Sequence, residues 1–205
     1  MTIISKKSAS LIINKINNGE VVIIPTETVY GLVCRADNKA GINMIYKLKN
    51  REVKQPLQVL MSQINSLDSL IDDKLLKKKL RTFWPGPLTA ILKISQLNDK
   101  INKCLVLKNT IGIRIPDNQV ALKIIQASGG FLAATSANIS GIEPANDPKT
   151  IDSIFNKSLY LLDDGIRNNN IPSSVINFAV VPPLVVRSGA LNKEQMDHLT
   201  NINAL

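Results

Sequence analysis

Several residue types are scarce in this sequence, and each scarcity argues against a class of protein. Aromatic residues make up only 4% of the 205 residues, so isoleucine, leucine and valine must fill most of the core. The two cysteines, Cys34 and Cys104, are too few for the disulfide scaffold of a small secreted protein. The single histidine, His198, lies near the C-terminus, which disfavours a histidine-based zinc site or a Ser-His-Asp triad.

Long apolar runs and common catalytic motifs are absent as well. No stretch approaches the roughly 20 apolar residues that a membrane-spanning helix needs, and the N-terminus does not have the pattern of a signal peptide. We therefore expect a cytoplasmic protein that does not enter a membrane. Neither GxxxxGK[ST] nor GxSxG occurs in the sequence, which excludes a Walker loop and a nucleophile elbow.

The sequence does contain enough apolar material for one substantial domain. Hydrophobic residues make up 44% and charged residues 20%, which is an ordinary balance for a globular protein. The formal net charge of +9 favours polyanionic partners such as nucleotides, phosphates or RNA. Compositional drift toward Lys, Asn and Ile would give the same charge without a binding face, so charge alone leaves the function open.

Helical and strand-like hydrophobic patterns alternate along the whole chain. Ser8 and Asp37 stand where helix N-caps are expected, and Gly19 stands where the first helix should end. Because helices and strands come in mixed order, we predict an α/β or α+β domain around one twisted mixed sheet, with function at strand ends and loops. The predicted helices are 8–18, 37–49, 65–83 (one or two helices), 118–127 and 192–201, and the predicted strands are 20–26, 56–61, 88–94, 111–116, 131–135, 158–164, 173–178 and 183–189.

Two segments place hydroxyl and amide groups directly after apolar strands. In PTETVYGL (25–32), the two threonines can hydrogen-bond a small polar ligand, or they can simply cap a strand-to-helix turn. In FLAATSANISG (131–141), a strand runs into small polar residues that include Ser136 and Asn138. Because no bulky side chain stands among them, this second segment suits a nucleotide phosphate or sugar.

Three further segments carry cations that suit an anionic ligand. Lys49 and Arg51 belong to a cationic cluster at 47–54, which can clamp a phosphate or merely complement a helix C-terminus. Arg114 lies on a short apolar strand, where a buried guanidinium needs either a substrate carboxylate or an internal acidic residue as its partner. Arg187 ends the last strand in an Arg-Ser-Gly turn, which is either an anion contact or a surface turn.

The inventory as a whole consists of cations, hydroxyls and amides, without a metal cluster or paired carboxylates. Such groups bind and position anions, which suits phosphoryl or nucleotidyl transfer. The segment FWPGPLT (83–89) is interpreted as structural, with Trp84 anchoring the core.

Taken together, these segments resemble the YrdC/Sua5 family of threonylcarbamoyl-AMP synthases. The resemblance runs from about Ser8 to about Leu191 and rests on short motifs that occur in the family's order. Each motif is weak by itself, but the ordered set is specific. The motifs are PTETVYGL, Lys49-Asn50-Arg51 followed by PL, WPGPLT, IGIRIP, TSANISG, PSSV and the Arg-Ser-Gly turn.

The resemblance implies a single YrdC-like α/β domain over residues 1–205, with its core at about 8–191 and no second C-terminal domain. Its twisted mixed sheet would be flanked by helices and would carry a large, positively charged concave cleft. The implied activity is L-threonylcarbamoyladenylate synthesis, in which L-threonine, bicarbonate and ATP give threonylcarbamoyl-AMP and pyrophosphate. ATP would be a substrate accompanied by Mg²⁺, with no metal ligand expected from protein side chains.

The implied biological context is tRNA modification. A downstream enzyme of the TsaD type would transfer the group to N6 of adenosine 37 in tRNAs that read ANN codons. Transfer RNA or double-stranded RNA is therefore an expected partner, and a membrane is not.

The resemblance also assigns roles to individual residues. A catalytic tetrad falls on Lys49, Arg51, Ser136 and Asn138. The ATP-binding residues would be Arg51, Gln55, Thr110, Asn138, Asn146 and Arg187, and the threonine-binding residues would be Thr28, Arg114, Ser136, Ser173 and the backbone near Leu60.

The chain departs from the family pattern at several positions. Glu52 follows the cationic clamp where proline is common, and Asn177 stands where an acidic residue is usual. Residues 33–35 replace a Gly-Asp pattern, and Asn146 lies in a loop that varies among members. These departures concern the nucleotide contacts more than the reaction.

Two other functions are compatible with parts of the pattern. A basic RNA-binding module without catalysis would explain the charge, but it would not need Arg114 or Ser173 inside a pocket. A related enzyme that acts on carbamoyl phosphate would share the adenylate chemistry. Those domains normally occur in much longer chains with zinc-finger cysteines, which this sequence does not have.

Overall fold

The computed structural model describes residues 1–52, 54–155, 159–167 and 171–201. In this part of the chain, strands and helices alternate around one sheet, which confirms the predicted mixed α/β fold. None of these helices has the length and apolar character needed to cross a bilayer. The strands are β1 (Thr2–Ser5), β2 (Val22–Ile24), β3 (Gly31–Arg35), β4 (Gln58–Met61), β5 (Leu88–Lys93), β6 (Thr110–Arg114), β7 (Phe131–Ser136), β8 (Tyr160–Asp163), β9 (Ser174–Asn177) and β10 (Leu184–Arg187). The helices are α1 (Ala9–Asn17), α2 (Lys39–Lys49), α3 (Lys74–Arg81), α4 (Gln119–Ala127), α5 (Pro148–Phe155) and α6 (Lys193–Thr200).

Within the described residues, the sheet has ten strands in the order β1-β8-β2-β3-β7-β4-β6-β5-β9-β10. β8 pairs in parallel with both β1 and β2, and the pairs β4/β6 and β5/β9 are also parallel. The other neighbouring pairs are antiparallel. This order brings β7, β4, β6, β5 and β9 side by side, so segments that are distant in the sequence share one region of the sheet.

Apolar side chains are buried on both faces of the sheet. Ile23 belongs to the larger apolar cluster, whereas its neighbours Val22 and Ile24 belong to the smaller one, as the alternation of a strand requires. The smaller cluster lies under α1 and α4, which supply fully buried residues such as Ile12 and Ile124. These two helices pack against each other, and their main sheet contacts extend from β8 to β4. The functional site described below occupies the same face beyond that region.

Most predicted elements are confirmed to within a few residues, and the errors are local. The prediction of Asp37 as the N-cap of α2 is wrong. The Asn38 side chain accepts the hydrogen bond from the Gly41 N–H at 3.1 Å, while Asp37 forms an ion pair with Arg35. The sequence patterns did not predict β1, β3 or α5. The predicted strand 158–164 forms β8, and its first residue lies outside the described residues.

The interpretation of Trp84 as a structural anchor is confirmed. Its side chain is buried in the larger cluster. The indole N–H donates to the Leu88 carbonyl oxygen at 2.7 Å. This bond ties the turn before β5 to the first residue of that strand.

Candidate active site

A cavity of about 560 Å³ opens on the sheet face that carries α1 and α4. Ala134 of β7 belongs both to the apolar cluster beneath these helices and to the cavity lining, so the two lie on the same face. Toward β9, small or polar residues such as Gly112 take the place of the large apolar ones. The predicted site residues that line the cavity are Arg51, Gln55, Thr110, Arg114, Ser136, Ser173 and Arg187.

Arg51, Arg114 and Arg187 bring three guanidinium groups to this cavity, and no acidic side chain lines it among the described residues. Burial, followed by the positive charges of Arg114 and Arg51, lowers the pKa of Arg187. Arg187 is affected by the other two charges because three distant segments of the chain meet here. A bound anion would relieve this repulsion, so the cavity has the electrostatics of an anion-binding site.

Arg114 is 2% exposed, and two of its three nitrogen atoms already donate hydrogen bonds. Its Nε donates to the Gly86 carbonyl oxygen at 3.2 Å, and its Nη2 donates to Thr28 Oγ1 at 2.8 Å. Glu27 Oε1 also lies 2.8 Å from Nη2, but without hydrogen-bond geometry. The internal acidic partner that the sequence left as an alternative is therefore present. Nη1 has no hydrogen-bond partner among the described residues and remains available to a ligand.

Thr28 reaches the cavity through Arg114 and does not line it. Thr26 Oγ1 donates to the Val29 carbonyl oxygen at 2.6 Å and lies 3.0 Å from Thr28 Oγ1. Because the single hydroxyl proton of Thr26 goes to Val29, Thr28 must be the donor between the two hydroxyls. Its lone pair then accepts from Arg114. The threonines of PTETVYGL thus shape the turn and, through Thr28, orient the guanidinium.

Lys49 lies behind the cavity and not on its surface. It is 1% exposed, and its Nζ donates to the Ser136 carbonyl oxygen at 2.6 Å and to two oxygens of Asn138, the carbonyl at 2.6 Å and Oδ1 at 2.7 Å. Burial and the nearby positive charge of Arg51 lower the pKa of Lys49 to about 7. The ammonium therefore fastens the loop after β7, and none of its three donors remains for a phosphate.

Ser136 is the member of that loop that lines the cavity. Its Oγ donates to Asn138 Oδ1 at 2.6 Å. Asn138 is 7% exposed and donates through Nδ2 to the Ile142 carbonyl oxygen. Hydrogen bonds thus join Lys49, Ser136 and Asn138, with Ser136 facing the cavity. Arg51, the fourth member of the predicted tetrad, lines the same cavity but bonds to other backbone groups.

Arg51, Gln55 and Thr110 lie together on the cavity lining. Arg51 Nε donates to the Gln55 carbonyl oxygen at 3.0 Å, and its Nη2 donates to the Pro56 carbonyl oxygen at 3.4 Å. Burial lowers the pKa of Arg51. Because both acceptors are neutral backbone groups, they hold the guanidinium in place without cancelling its charge. Thr110 Oγ1 donates to the Leu107 carbonyl oxygen at 2.7 Å.

Like Thr28, Lys49 and Asn138, the predicted site residues Asn146 and Leu60 do not line the cavity. Asn146 exchanges hydrogen bonds with the backbone of Arg167, donating from Nδ2 at 3.1 Å and accepting at its own carbonyl at 2.9 Å. Leu60 is 1% exposed in the smaller apolar cluster, where its strand position pairs with that of Arg114. Its side chain belongs to the core, and only its backbone approaches the site through this pairing.

The sequence interpretation missed three residues at the site, Glu27, Gln58 and Thr89. Thr89 lies in a motif that was interpreted as purely structural, yet it is 4% exposed and lines the cavity. Its Oγ1 donates to Gln58 Oε1 at 2.7 Å and lies 2.8 Å from Ser173 Oγ. The sequence feature that could have indicated a site role for Thr89 is its hydroxyl at an alternate position of the apolar strand LTAILK.

Comparison with known proteins gives relatives that match most of this chain. The Sua5/YciO/YrdC family model, whose description reads "Telomere recombination", matches residues 14–189. A threonylcarbamoyl-AMP synthase of Bacillus subtilis is 35% identical over 89% of this chain and 53% of its own length. A relative from Methanocaldococcus jannaschii is also 35% identical, over 91% of this chain and 87% of that protein.

Among solved structures, Pyrococcus abyssi Sua5 complexed with L-threonine superposes with a TM-score of 0.88 at 28% identity, covering 97% of this chain and 61% of that one. The chain spans about half the length of the Bacillus subtilis protein and of the Pyrococcus abyssi threonylcarbamoyl-AMP synthase, of which it covers 54%. The family model nevertheless covers most of the chain, including the segments that build the cavity. This chain belongs to the Sua5/YciO/YrdC family.

Proposed function

We propose that this chain is an L-threonylcarbamoyladenylate synthase, which converts L-threonine, bicarbonate and ATP into threonylcarbamoyl-AMP and pyrophosphate. The observation that carries the proposal is the convergence of Arg51, Arg114 and Arg187 on one cavity beside the hydroxyls of Ser136 and Ser173. Further support comes from relatives named threonylcarbamoyl-AMP synthase and from the Pyrococcus abyssi Sua5 structure with L-threonine.

The proposed reaction has two bond-forming steps. The threonine amine attacks the bicarbonate carbon, so that a C–N bond forms and a C–O bond breaks. Threonine loses one ammonium proton to solvent before this attack, and the nitrogen of the adduct then gives one proton to the departing hydroxide, which leaves as water. An oxygen of the resulting carbamate then attacks the α-phosphorus of ATP, a new P–O bond forms, and the P–O bond to the β-phosphate breaks to release pyrophosphate.

In this proposal, Arg114 binds the threonine carboxylate through its free Nη1, because Thr28 and Gly86 hold its other donors in a fixed direction. Arg51 and Arg187 neutralise the charge that grows on the departing pyrophosphate. Gln55 and Thr110 are proposed to contact the nucleotide. Lys49, Asn138 and Thr28 act as positioning residues, and the roles of Asn146 and of the Leu60 backbone remain predictions from the family pattern.

Mg²⁺ is proposed to enter with ATP as part of the substrate. Among the described residues, no group of three or more His, Cys, Asp or Glu side chains could hold a metal ion. The cavity lining offers no carboxylate to Mg²⁺ either, within the part of the chain that the structure describes. Because Mg²⁺ is commonly bound by substrate phosphates and water, the cationic lining is compatible with the metal as part of the nucleotide complex.

The product of this reaction would be a mixed anhydride of a carbamic acid and a phosphate, which activates the carbamoyl carbon toward an amine. A transferase of the TsaD type that acts on adenosine in tRNA is therefore the proposed consumer. The reaction is proposed to take place in the cytoplasm, where ATP and tRNA are available. The net charge of +9 supports direct contact with RNA, which filter binding at rising salt would test.

The decisive experiment is incubation of the protein with ATP, [¹⁴C]bicarbonate and L-threonine. We expect a labelled adenylate and pyrophosphate, both dependent on threonine. Arg51→Ala should lose this activity, and Arg81→Ala is the matched control because Arg81 lies on α3, outside the cavity lining. Pyrophosphate release that does not depend on threonine, or no release by the wild-type protein, would refute the proposal.

A further inference from the structure

Residues 164–167, here called the post-β8 segment, directly follow β8 and do not line the cavity. Arg167, at the end of this segment, has a side chain that is 12% exposed and packs over the Tyr30 ring, with Cζ 5.4 Å from the ring centroid. Its Nη2 donates to the carbonyl oxygens of Asp164 and, at 3.3 Å, of Gly165, and it lies 3.4 Å from Asp164 Oδ2. The guanidinium thus folds back onto its own segment.

The same guanidinium also reaches the turn between β2 and β3. Arg167 Nη1 donates to the Thr26 carbonyl oxygen at 3.3 Å. The Tyr30 hydroxyl makes a second connection, because it donates to the Gly165 carbonyl oxygen at 2.7 Å and accepts from the Asp164 N–H at 3.1 Å. The post-β8 segment therefore holds the turn near both of its ends, at Thr26 and at Tyr30.

This turn carries Thr28, the residue that orients Arg114. Thr28 donates to Thr26 Oγ1 and accepts from Arg114 Nη2. A displacement of Thr26 would therefore move the oxygen against which the guanidinium is aligned. Asp164 contacts the chain beyond Arg114, because its Oδ2 accepts from Asn118 Nδ2 at 3.4 Å and Asn118 caps the helix that follows β6. The elements that carry Thr28 and Arg114 are thus joined behind the site through the ion pair of the post-β8 segment.

Stability alone does not account for an arginine at position 167. The Nε of Arg167 is buried and has no hydrogen-bond partner among the described residues. An unpaired buried donor costs stability, and replacing a buried ion pair by apolar side chains is often neutral or stabilising. What the guanidinium does supply is a rigid fork whose two arms donate to two separate segments, Nη1 to the turn and Nη2 to the post-β8 segment.

We propose that Arg167 is a positioning residue for L-threonine, which fixes the turn between β2 and β3 so that Thr28 holds Arg114 in the direction of the threonine carboxylate. This inference rests on the proposed function, in which Arg114 binds that carboxylate. A ligand binds more tightly when the group that receives it is already held in its bound direction. Asn146, the predicted ATP contact, bonds to the backbone of Arg167. A change of the Arg167 side chain should therefore affect the binding of threonine and not that of ATP.

The test measures the Kd of L-threonine and the Kd of ATP by calorimetry, each without the other ligand. Arg167→Met should raise the L-threonine Kd roughly 10-fold and leave the ATP Kd less than twofold changed. Tyr30→Phe keeps the ring and removes only the hydroxyl, so it should raise the L-threonine Kd by a smaller factor, about threefold; this variant decides should Arg167→Met fail to fold. Arg35→Met is the matched control, because Arg35 also forms an ion pair with an aspartate, Asp37, outside the cavity lining. Its L-threonine Kd should equal that of the wild type.

A double-mutant cycle tests the route through Thr28. Thr28→Val removes the hydroxyl that aligns Arg114, so adding Arg167→Met to it should raise the L-threonine Kd by less than about twofold more. Fully additive effects would show that Arg167 does not act through Thr28. A normal L-threonine Kd in both Arg167→Met and Tyr30→Phe, or equal rises of the Kd for threonine and ATP, would overturn the inference while the proposed function stands. A wild-type protein that binds no L-threonine would refute the proposed function itself.

Discussion

Replacing Lys49 by methionine should remove a pH dependence from the stability of this protein. Burial and the charge of Arg51 lower the pKa of Lys49 to about 7 in the folded state, whereas its ordinary value is 10.5. Between these two values the unfolded chain holds a proton that the folded chain has lost. Stability should therefore rise with pH in this window and be lost again as the pH falls through about 7.

The size of the effect follows from one proton. Where the folded and unfolded states differ by one proton, the free energy of unfolding rises by about 1.4 kcal/mol per pH unit. From pH 7 to pH 9 the free energy of unfolding should rise by about 2 kcal/mol, because Lys49 in the folded state is still half-protonated at pH 7. The three short hydrogen bonds from Nζ to Ser136 and Asn138 oppose loss of the proton. Burial and the charge of Arg51 act in the opposite sense and lower the pKa.

The assay is urea unfolding at pH 7, 8 and 9, with the free energy of unfolding compared between wild type and Lys49→Met. From pH 7 to pH 9, the free energy of unfolding of the wild type should rise by about 2 kcal/mol relative to that of Lys49→Met. Lys47→Met is the control, because Lys47 lies in the last turn of the same helix and is exposed. A difference that stays constant with pH would mean that Lys49 keeps its proton and that the reasoning is wrong.

Three substitutions test the arginines. Arg51→Ala should abolish pyrophosphate release, and normal turnover in this variant would contradict the proposed role of Arg51. The variant should lose less than about 1 kcal/mol of the free energy of unfolding, because Arg51 bonds only to backbone oxygens. Arg114→Ala should raise the KM for threonine more than the KM for ATP, and equal effects would reject the carboxylate contact. Glu27→Gln should destabilise the free protein by about 3 kcal/mol, because buried Arg114 loses its counter-charge. Threonine should then raise Tm more than in wild type, and an equal rise would refute this.

The elements that sequence patterns predicted are those with a clear period and a clear boundary. Helix 8–18 became α1 because its apolar residues recur at helical spacing and Gly19 follows with a positive φ of 87°. The elements that were missed lack such signals. β3 begins inside the PTETVYGL motif, where hydroxyl residues drew attention to ligand binding, and β1 is mostly exposed along a four-residue stretch.

The site shows the same division between local and long-range information. Arg114 could be identified because an arginine between buried isoleucines needs an anionic partner wherever the strand lies. Thr89 and Gln58 could not, because a threonine or glutamine is unremarkable until β5, β6 and β4 are known to be neighbours. The family pattern grouped Lys49 with Arg51, Ser136 and Asn138, but it could not reveal that the Lys49 ammonium points into the protein. Only the path of the loop after β7 decides that direction.

The central claim is that one cavity holds an amino acid beside a nucleotide, and thermal unfolding with each ligand tests it most directly. A ligand present at 100 times its Kd should stabilise the protein by about 2.7 kcal/mol. We expect L-threonine and ATP each to raise Tm, with the threonine effect lost in Arg114→Ala and the ATP effect lost in Arg187→Ala. A wild-type Tm that responds to RNA but to neither L-threonine nor ATP would contradict the account.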